Sequence, residues 1–136
     1  MVSTRPRPGE KISILLVDDD KTTLMITRAI LESAGYQVSV RDSALGTSAA
    51  ILRERPDVVL MDVEMPGLSG DRLVGLLRGS LVAQEVMFIL YSGTRSEDLD
   101  ALVAETGAAG GIAKTGDQHR FVSDFERILK TARRAR

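Results

Sequence analysis

Ile14-Leu15-Leu16-Val17-Asp18-Asp19-Asp20 and Val58-Val59-Leu60-Met61-Asp62 are the two stretches whose reading decides the fold. Each is a short apolar run of the kind expected for a parallel strand buried on both faces, and each stops on carboxylates. Two buried strands that both end on acids imply that the acids meet at one edge of a parallel sheet. Like charges repel, and a carboxylate is costly to bury without a cation or a proton. The cluster therefore calls for a divalent metal. Mg²⁺, which takes one or two carboxylates together with waters and a phosphate oxygen, is the natural candidate.

Outward from these stretches, strand and helix signals alternate five times along the chain. A helical stretch over residues 21–34 is stopped by Gly35, a residue suited to a left-handed position after a helix end. Tyr36-Gln37-Val38-Ser39-Val40 alternates apolar and polar residues, the pattern of a half-exposed strand at a sheet edge. Ser43 is placed to cap a second helix running to about Arg55, where Pro56 prevents continuation. After the strand that ends at Asp62, the loop Val63-Glu64-Met65-Pro66-Gly67 leads to a third helix near residues 70–78. Residues 86–90 form a fourth buried strand ending at Tyr91-Ser92-Gly93, and Ser96 caps a fourth helix over about 97–105. A short Gly-rich strand at 110–113 precedes a last helix with Phe121, Phe125, Ile128, Leu129 and Ala132 on one face.

Repeated strand–helix units with right-handed crossovers predict an α/β fold, a doubly wound parallel sheet with helices on both faces. With the alternating strand at an edge and the apolar runs in the middle, the order is 2-1-3-4-5, the flavodoxin-like (βα)5 arrangement. Ligands of such sheets sit beyond the carboxyl ends of the strands, at the switch point between strands 1 and 3. Asp18, Asp19 and Asp62 are expected there.

The 136 residues, 43% of them apolar, suffice for one domain with a real core. A net charge of −1 lacks the basic bias of a nucleic-acid binder. The absence of cysteine excludes disulfides and thiolate metal sites, and makes a cytoplasmic setting the default. The longest apolar run, residues 12–17 interrupted by Ser13, is too short to span a bilayer. Residues 1–10 have no signal-peptide character and are expected to be a disordered leader, 11–132 the folded domain, and 133–136 a basic tail favourable at a helix C-terminus.

Two further strand ends complete a phosphoryl site. Ser92 offers a hydroxyl beside Gly93, and Lys114 an ammonium for carboxylate or phosphoryl oxygens. Phosphoryl transfer needs mainly positioning and charge neutralisation by metal, cation and hydrogen-bond donors. In that chemistry Asp62 is the nucleophile, forming an aspartyl phosphate. Singly, each residue has a bland reading: a helix cap for the acid run, an Asx turn for Asp62, a turn hydroxyl for Ser92, a solvated lysine for Lys114. Their joint arrival at the carboxyl ends of strands 1, 3, 4 and 5 favours the phosphoryl site, with Asp20 a bystander.

The acid run, the segment Asp57-Val58-Val59-Leu60-Met61-Asp62-Val63-Glu64-Met65-Pro66-Gly67, Tyr91-Ser92-Gly93 and Gly107-Ala108-Ala109-Gly110-Gly111-Ile112-Ala113-Lys114 together carry a resemblance. Over nearly its whole length the chain resembles the receiver domain of two-component response regulators. The resemblance implies Asp62 as phosphoacceptor from a sensor histidine kinase or His-phosphotransfer protein. It implies Asp19 and Asp62 as direct Mg²⁺ ligands, Asp18 acting through water, and the Glu64 carbonyl as a further ligand. It also implies Glu64 and Thr94 as residues that modulate attack by water on the acyl phosphate. Output would pass to a downstream protein through the face formed by the fourth helix, fifth strand and fifth helix, without contact to nucleic acid or membrane.

Two positions depart from the family pattern. Gly111 stands where the family carries an aromatic switch residue, three positions before the lysine, so coupling from Ser92 must run differently. Thr115 stands where the family has a cis proline, so a trans peptide after Lys114 is expected, since a non-prolyl cis bond costs about 2.5–4 kcal/mol. His119, the sole histidine, is expected at the surface. The leading expectation is a stand-alone receiver whose own chemistry is limited to phosphoryl uptake and slow autodephosphorylation. Its rivals are an adapter indifferent to phosphorylation and, with Glu64 as a second acid, an aspartyl-phosphate hydrolase.

Overall fold

The computed structural model describes residues 10–66, 72, 75, 86–93 and 96–135. Along the chain it forms β1 (Ser13–Val17), α1 (Lys21–Ser33), β2 (Gln37–Arg41), α2 (Thr47–Glu54), β3 (Val58–Asp62), β4 (Met87–Ser92), α3 (Ser96–Thr106), β5 (Gly110–Ala113) and α4 (Gln118–Ala135). Helices are numbered among the described residues, so α3 and α4 are the fourth and fifth helices expected from the sequence. Of the expected third helix, only Arg72 and Gly75 are described, and both are helical. Residues 1–9, Gly67 and Thr94 lie outside the described residues.

The five strands form one parallel sheet in the order β2-β1-β3-β4-β5, the flavodoxin-like order expected. Alternation along the strands sorts the core into two layers. Ile14, Leu16, Leu60, Ile89 and Tyr91 pack with Leu24 and Leu31 of α1 and Phe125 and Leu129 of α4. Leu15, Val17, Met61 and Leu90 pack on the other side with Ala50 and Ile51 of α2 and Leu99 of α3. At the amino end of the sheet β1 and β3 are pinned together. Asp57 Oδ2 accepts from the Ser13 N–H at 2.8 Å and the Ser13 hydroxyl at 3.0 Å, while the Asp57 N–H donates to Ser13 Oγ.

Local signals mostly act where the residues put them. Gly35 follows α1 at φ +99°, a backbone state open to glycine at no steric cost. Ser43 is different. Its hydroxyl accepts from the Leu45 N–H at 3.1 Å, closing a local turn, and α2 starts only at Thr47 behind Gly46. The short serine side chain satisfies the nearer N–H first, which delays the helix.

β5 is sandwiched closely. A Cβ on Gly110 would lie 2.9 Å from Ile128 Cδ1 of α4, and one on Gly111 would lie 2.8 Å from Leu99 Cγ and 3.1 Å from Val103 Cγ2 of α3. Two glycines in succession let a helix seat on each face of this edge strand.

Candidate functional site at the carboxyl end of the sheet

Parallel strands end together, so the residues after β1, β3, β4 and β5 converge on one edge. The register pairs Val17 with Met61, Asp62 with Tyr91 and Ser92 with Ala113. Asp18, Asp62, Tyr91 and Lys114 fall on the α1–α4 side by strand alternation, and Ser92 on the other.

Carboxylate oxygens of Asp18, Asp19 and Asp62 lie within 4.8 Å of one another. Asp18 and Asp62 are buried, and Asp19 is exposed. Lys114 Nζ reaches both buried acids, at 3.1 Å from Asp62 Oδ2 and 3.5 Å from Asp18 Oδ2. The lysine backbone is held by its own N–H, which donates to the Ser92 carbonyl at 2.9 Å and extends the β4–β5 ladder by one rung. Its peptide to Thr115 is trans, as are all peptides among the described residues. The loop after β5 therefore delivers the ammonium to the acids with threonine in place of proline.

The remaining oxygens are held by backbone and side-chain donors. Asp62 Oδ1 accepts from the Glu64 N–H at 2.9 Å, and Asp18 Oδ1 from the Asp20 N–H at 2.9 Å. Asp18 Oδ2 also accepts from the Tyr91 hydroxyl at 2.6 Å. Burial and the Asp18 carboxylate push the Tyr91 phenol far above its ordinary range, so it is a donor at any working pH. Burial also raises the Asp62 carboxyl, outweighing the Glu64 N–H and the Lys114 ammonium that pull it down. Ser92, fully buried, donates to Glu64 Oε1 at 2.8 Å. Asp20 takes a local role: Oδ1 accepts from the Thr22 N–H and Oδ2 from the Thr23 hydroxyl, capping α1.

The donor set suits a hard cation. An all-oxygen cluster of carboxylates, with a raised and buried Asp62 among them, is one that Mg²⁺ would relieve.

The chain matches the model of the response regulator receiver domain over residues 14–126. It belongs to that family. Curated relatives of this receiver include the protein PilH of Pseudomonas aeruginosa, 30% identical over 117 residues that cover 85% of this chain and 96% of PilH. The transcriptional regulatory protein KdpE of Mycobacterium tuberculosis is 35% identical over 118 residues, covering 86% of this chain and 50% of KdpE. The receiver thus spans about half the length of KdpE, and 52% of the phosphate regulon regulator PhoB of P. aeruginosa. Among solved structures, the chemotaxis response regulator CheY4 of Vibrio cholerae aligns with a TM-score of 0.78 at 22% identity, covering 88% of this chain and 99% of that one. That likeness is one of fold.

All residues singled out from the sequence that are described, Asp18, Asp19, Asp62, Glu64, Ser92 and Lys114, stand at this edge, whereas Gly111 lies deeper, under α3. His119 is exposed near the start of α4. From the sequence, Tyr91 stands out only as a neighbour of Ser92, with no role assigned to it. The signal available was its parity: a lone phenol in an apolar strand, on the same sheet side as Asp18 and Asp62. No described helix is long and apolar enough to cross a membrane.

Proposed function

We propose that this receiver takes a phosphoryl group onto Asp62 from a phosphohistidine donor and signals through a partner-binding surface or a phosphorelay. The donor would be a sensor histidine kinase or a His-phosphotransfer protein. The observation that supports this most directly is Lys114 Nζ, 3.1 Å from Asp62 Oδ2 within a cluster of three carboxylates. In the transfer an Asp62 carboxylate oxygen attacks phosphorus. The new O–P bond forms as the N–P bond breaks, and the electron pair leaves with the imidazole nitrogen. Lys114 neutralises charge on the transferred oxygens, and Ser92 turns from Glu64 to donate to one of them.

Asp18, Asp19, Asp62 and the Glu64 carbonyl would hold Mg²⁺, Asp18 through water. Its contribution when bound is to neutralise negative charge shared by the acids and the phosphoryl oxygens. The unit runs over residues 11–132, works in the cytoplasm, and hands its signal to a protein through the face of α3, β5 and α4. It turns over no external substrate: Asp62 is modified, then released by slow attack of water under the influence of Glu64 and Thr94.

Incubation with acetyl phosphate and Mg²⁺, followed by intact mass measurement, tests this reading. A gain of one phosphoryl group that is absent in Asp62→Asn is expected. No gain, a gain that survives in Asp62→Asn, or release of many equivalents of phosphate would overturn it.

A second reading, an adapter whose output ignores phosphorylation, draws on Gly111. A side chain there would meet Leu99 at 2.8 Å, so a rotating aromatic has no place at that position. The adapter would label normally, and its partner affinity would be the same with and without the phosphoryl group.

A further inference from the structure

Tyr91 and Gly111 lie on opposite sides of the sheet. Tyr91 is fully buried in the α1–α4 layer, and its hydroxyl contacts Asp18 Oδ2 at 2.6 Å. That length belongs to strong hydrogen bonds from a hydroxyl to a carboxylate. Lys114 Nζ stands 4.7 Å from the centre of the same ring, a cation–π distance. The ring also meets Phe121, at the start of α4, in a T-shaped contact with centroids 6.4 Å apart. One side chain therefore touches a buried acid of the cluster, the lysine that pairs with Asp62, and the helix that closes the domain.

The immediate surroundings of Gly111 and Tyr91 differ. Under α3, Gly111 is packed so tightly that a single methyl group would clash. On the α1–α4 side a cavity of about 270 Å³ is bounded by Ile26, Ile30, Tyr91, Lys114 and Phe121. Close-packed cores transmit strain, and here Tyr91 and Phe121 both border open space. A phenylalanine at 91 would supply the same ring to the core. The hydroxyl adds nothing to packing, yet it lies on the one acid that the metal is expected to reach through water.

We infer that Tyr91 is a positioning residue for the phosphoryl site, acting through Asp18 and Lys114, and that its ring carries a change in that site to Phe121 and hence into α4. This rests on the reading of Asp62 as phosphoacceptor with Mg²⁺. Lys114 drawn toward a phosphoryl group would leave the Tyr91 ring, and a turn of Asp18 on metal binding would carry the hydroxyl with it. Both motions displace the ring toward the cavity and alter its contact with Phe121. α4 belongs to the proposed partner face, so the signal enters that face from its buried side rather than from position 111.

The test uses the full chain labelled with 4-fluorophenylalanine at Phe88, Phe121 and Phe125, with the Phe121 resonance assigned through Phe121→Leu. Wild type and Tyr91→Phe are titrated with Mg²⁺ and then treated with acetyl phosphate, with mass measured in parallel. Removing a hydrogen-bond partner of a metal-site carboxylate typically weakens metal binding by 10- to 100-fold. In Tyr91→Phe we expect Mg²⁺ affinity to fall about tenfold, the same final mass gain at saturating Mg²⁺, and loss of the Phe121 shift that accompanies phosphorylation in wild type. If either the affinity or the Phe121 shift matches wild type, the inference is overturned. If wild type itself gains no mass, the phosphoacceptor reading fails and takes this inference with it.

Discussion

The Ser92 hydroxyl is bonded to the carboxylate of Glu64, Oγ to Oε1 at 2.8 Å, so the donor at the end of β4 is held by an acid from the loop after β3. The same carboxylate lies 3.4 Å from the point a Cβ would occupy on Gly93, so it stands close against the strand end. Glu64 therefore does two things against phosphoryl entry: it occupies the hydroxyl and it adds negative charge beside Asp62.

Removing that acid should speed uptake. Relief of a net hydrogen bond and of like-charge repulsion amounts to about 1 kcal/mol, roughly a fivefold rate change. Glu64→Ala is expected to gain mass from acetyl phosphate about that much faster than wild type, and Glu64→Gln to fall between them. Ser92→Ala should be slower than both. A Glu64→Ala rate equal to or below wild type would contradict the arrangement seen.

Charge at Asp62 is a cost to the fold. A carboxyl raised by burial binds more protons folded than unfolded. Its contribution to stability therefore declines as pH rises from the ordinary carboxylate range through its raised value. Asp62→Asn removes the charge while leaving Asp18 as partner to Lys114. Thermal unfolding should show Tm higher than wild type by a few degrees at pH 7, the change that about 1 kcal/mol brings. The difference should shrink in acid, and Mg²⁺ should narrow it by relieving the same charge in the wild type. A variant no more stable than wild type at pH 7 speaks against this account.

Packing at Gly111 predicts a coupled pair. Gly111→Ala drives a methyl into Leu99 and Val103, and overpacking of this kind costs about 1–3 kcal/mol. Leu99→Ala alone costs about 2–5 kcal/mol through the cavity it leaves. In the double variant the added methyl enters space that Leu99 vacated, so the losses should add to less than their sum. Denaturant unfolding of the four proteins gives the coupling; strict additivity would show that Leu99 is not what position 111 meets.

Asp20 supplies a cap with a stated pH sign. Hydrogen bonds from the Thr23 hydroxyl and the Thr22 N–H hold its carboxyl below the ordinary range. A depressed carboxyl stabilises above its unfolded value, and the effect is lost as pH falls from there through the folded value. Asp20→Ala should lower Tm at pH 7, with phosphoryl uptake retained, and the gap should close in strong acid. A gap that persists unchanged into acid would assign the loss to something other than the ionised cap.

The order of the sheet was legible because the two kinds of strand differ in pattern. Val58 to Met61 is apolar throughout and central, whereas Gln37 to Arg41 alternates and lies at the edge. The meeting of Asp18, Asp19 and Asp62 followed from strand ends alone. Other features were not legible. Ser43 satisfied a nearer N–H than a helix cap would, and no local signal separates those outcomes. Glu64 on Ser92 and Tyr91 on Asp18 join residues 28 and 73 positions apart. Each is a distance between side chains, and a pattern of residue types carries no such distances.

By itself, then, the sequence determined the described strands, their order in the sheet and which edge gathers the acids, because hydrophobic periodicity and strand endings are local properties that the crossover rules convert into topology. Tertiary structure alone decided what else surrounds those acids. The Tyr91 hydroxyl rests on Asp18, Ser92 is held by Glu64, and α3 seats on Gly111. These depend on how closely the helices pack on the sheet, to within a methyl group. That closeness is set by all the packed side chains together rather than by any stretch of the chain.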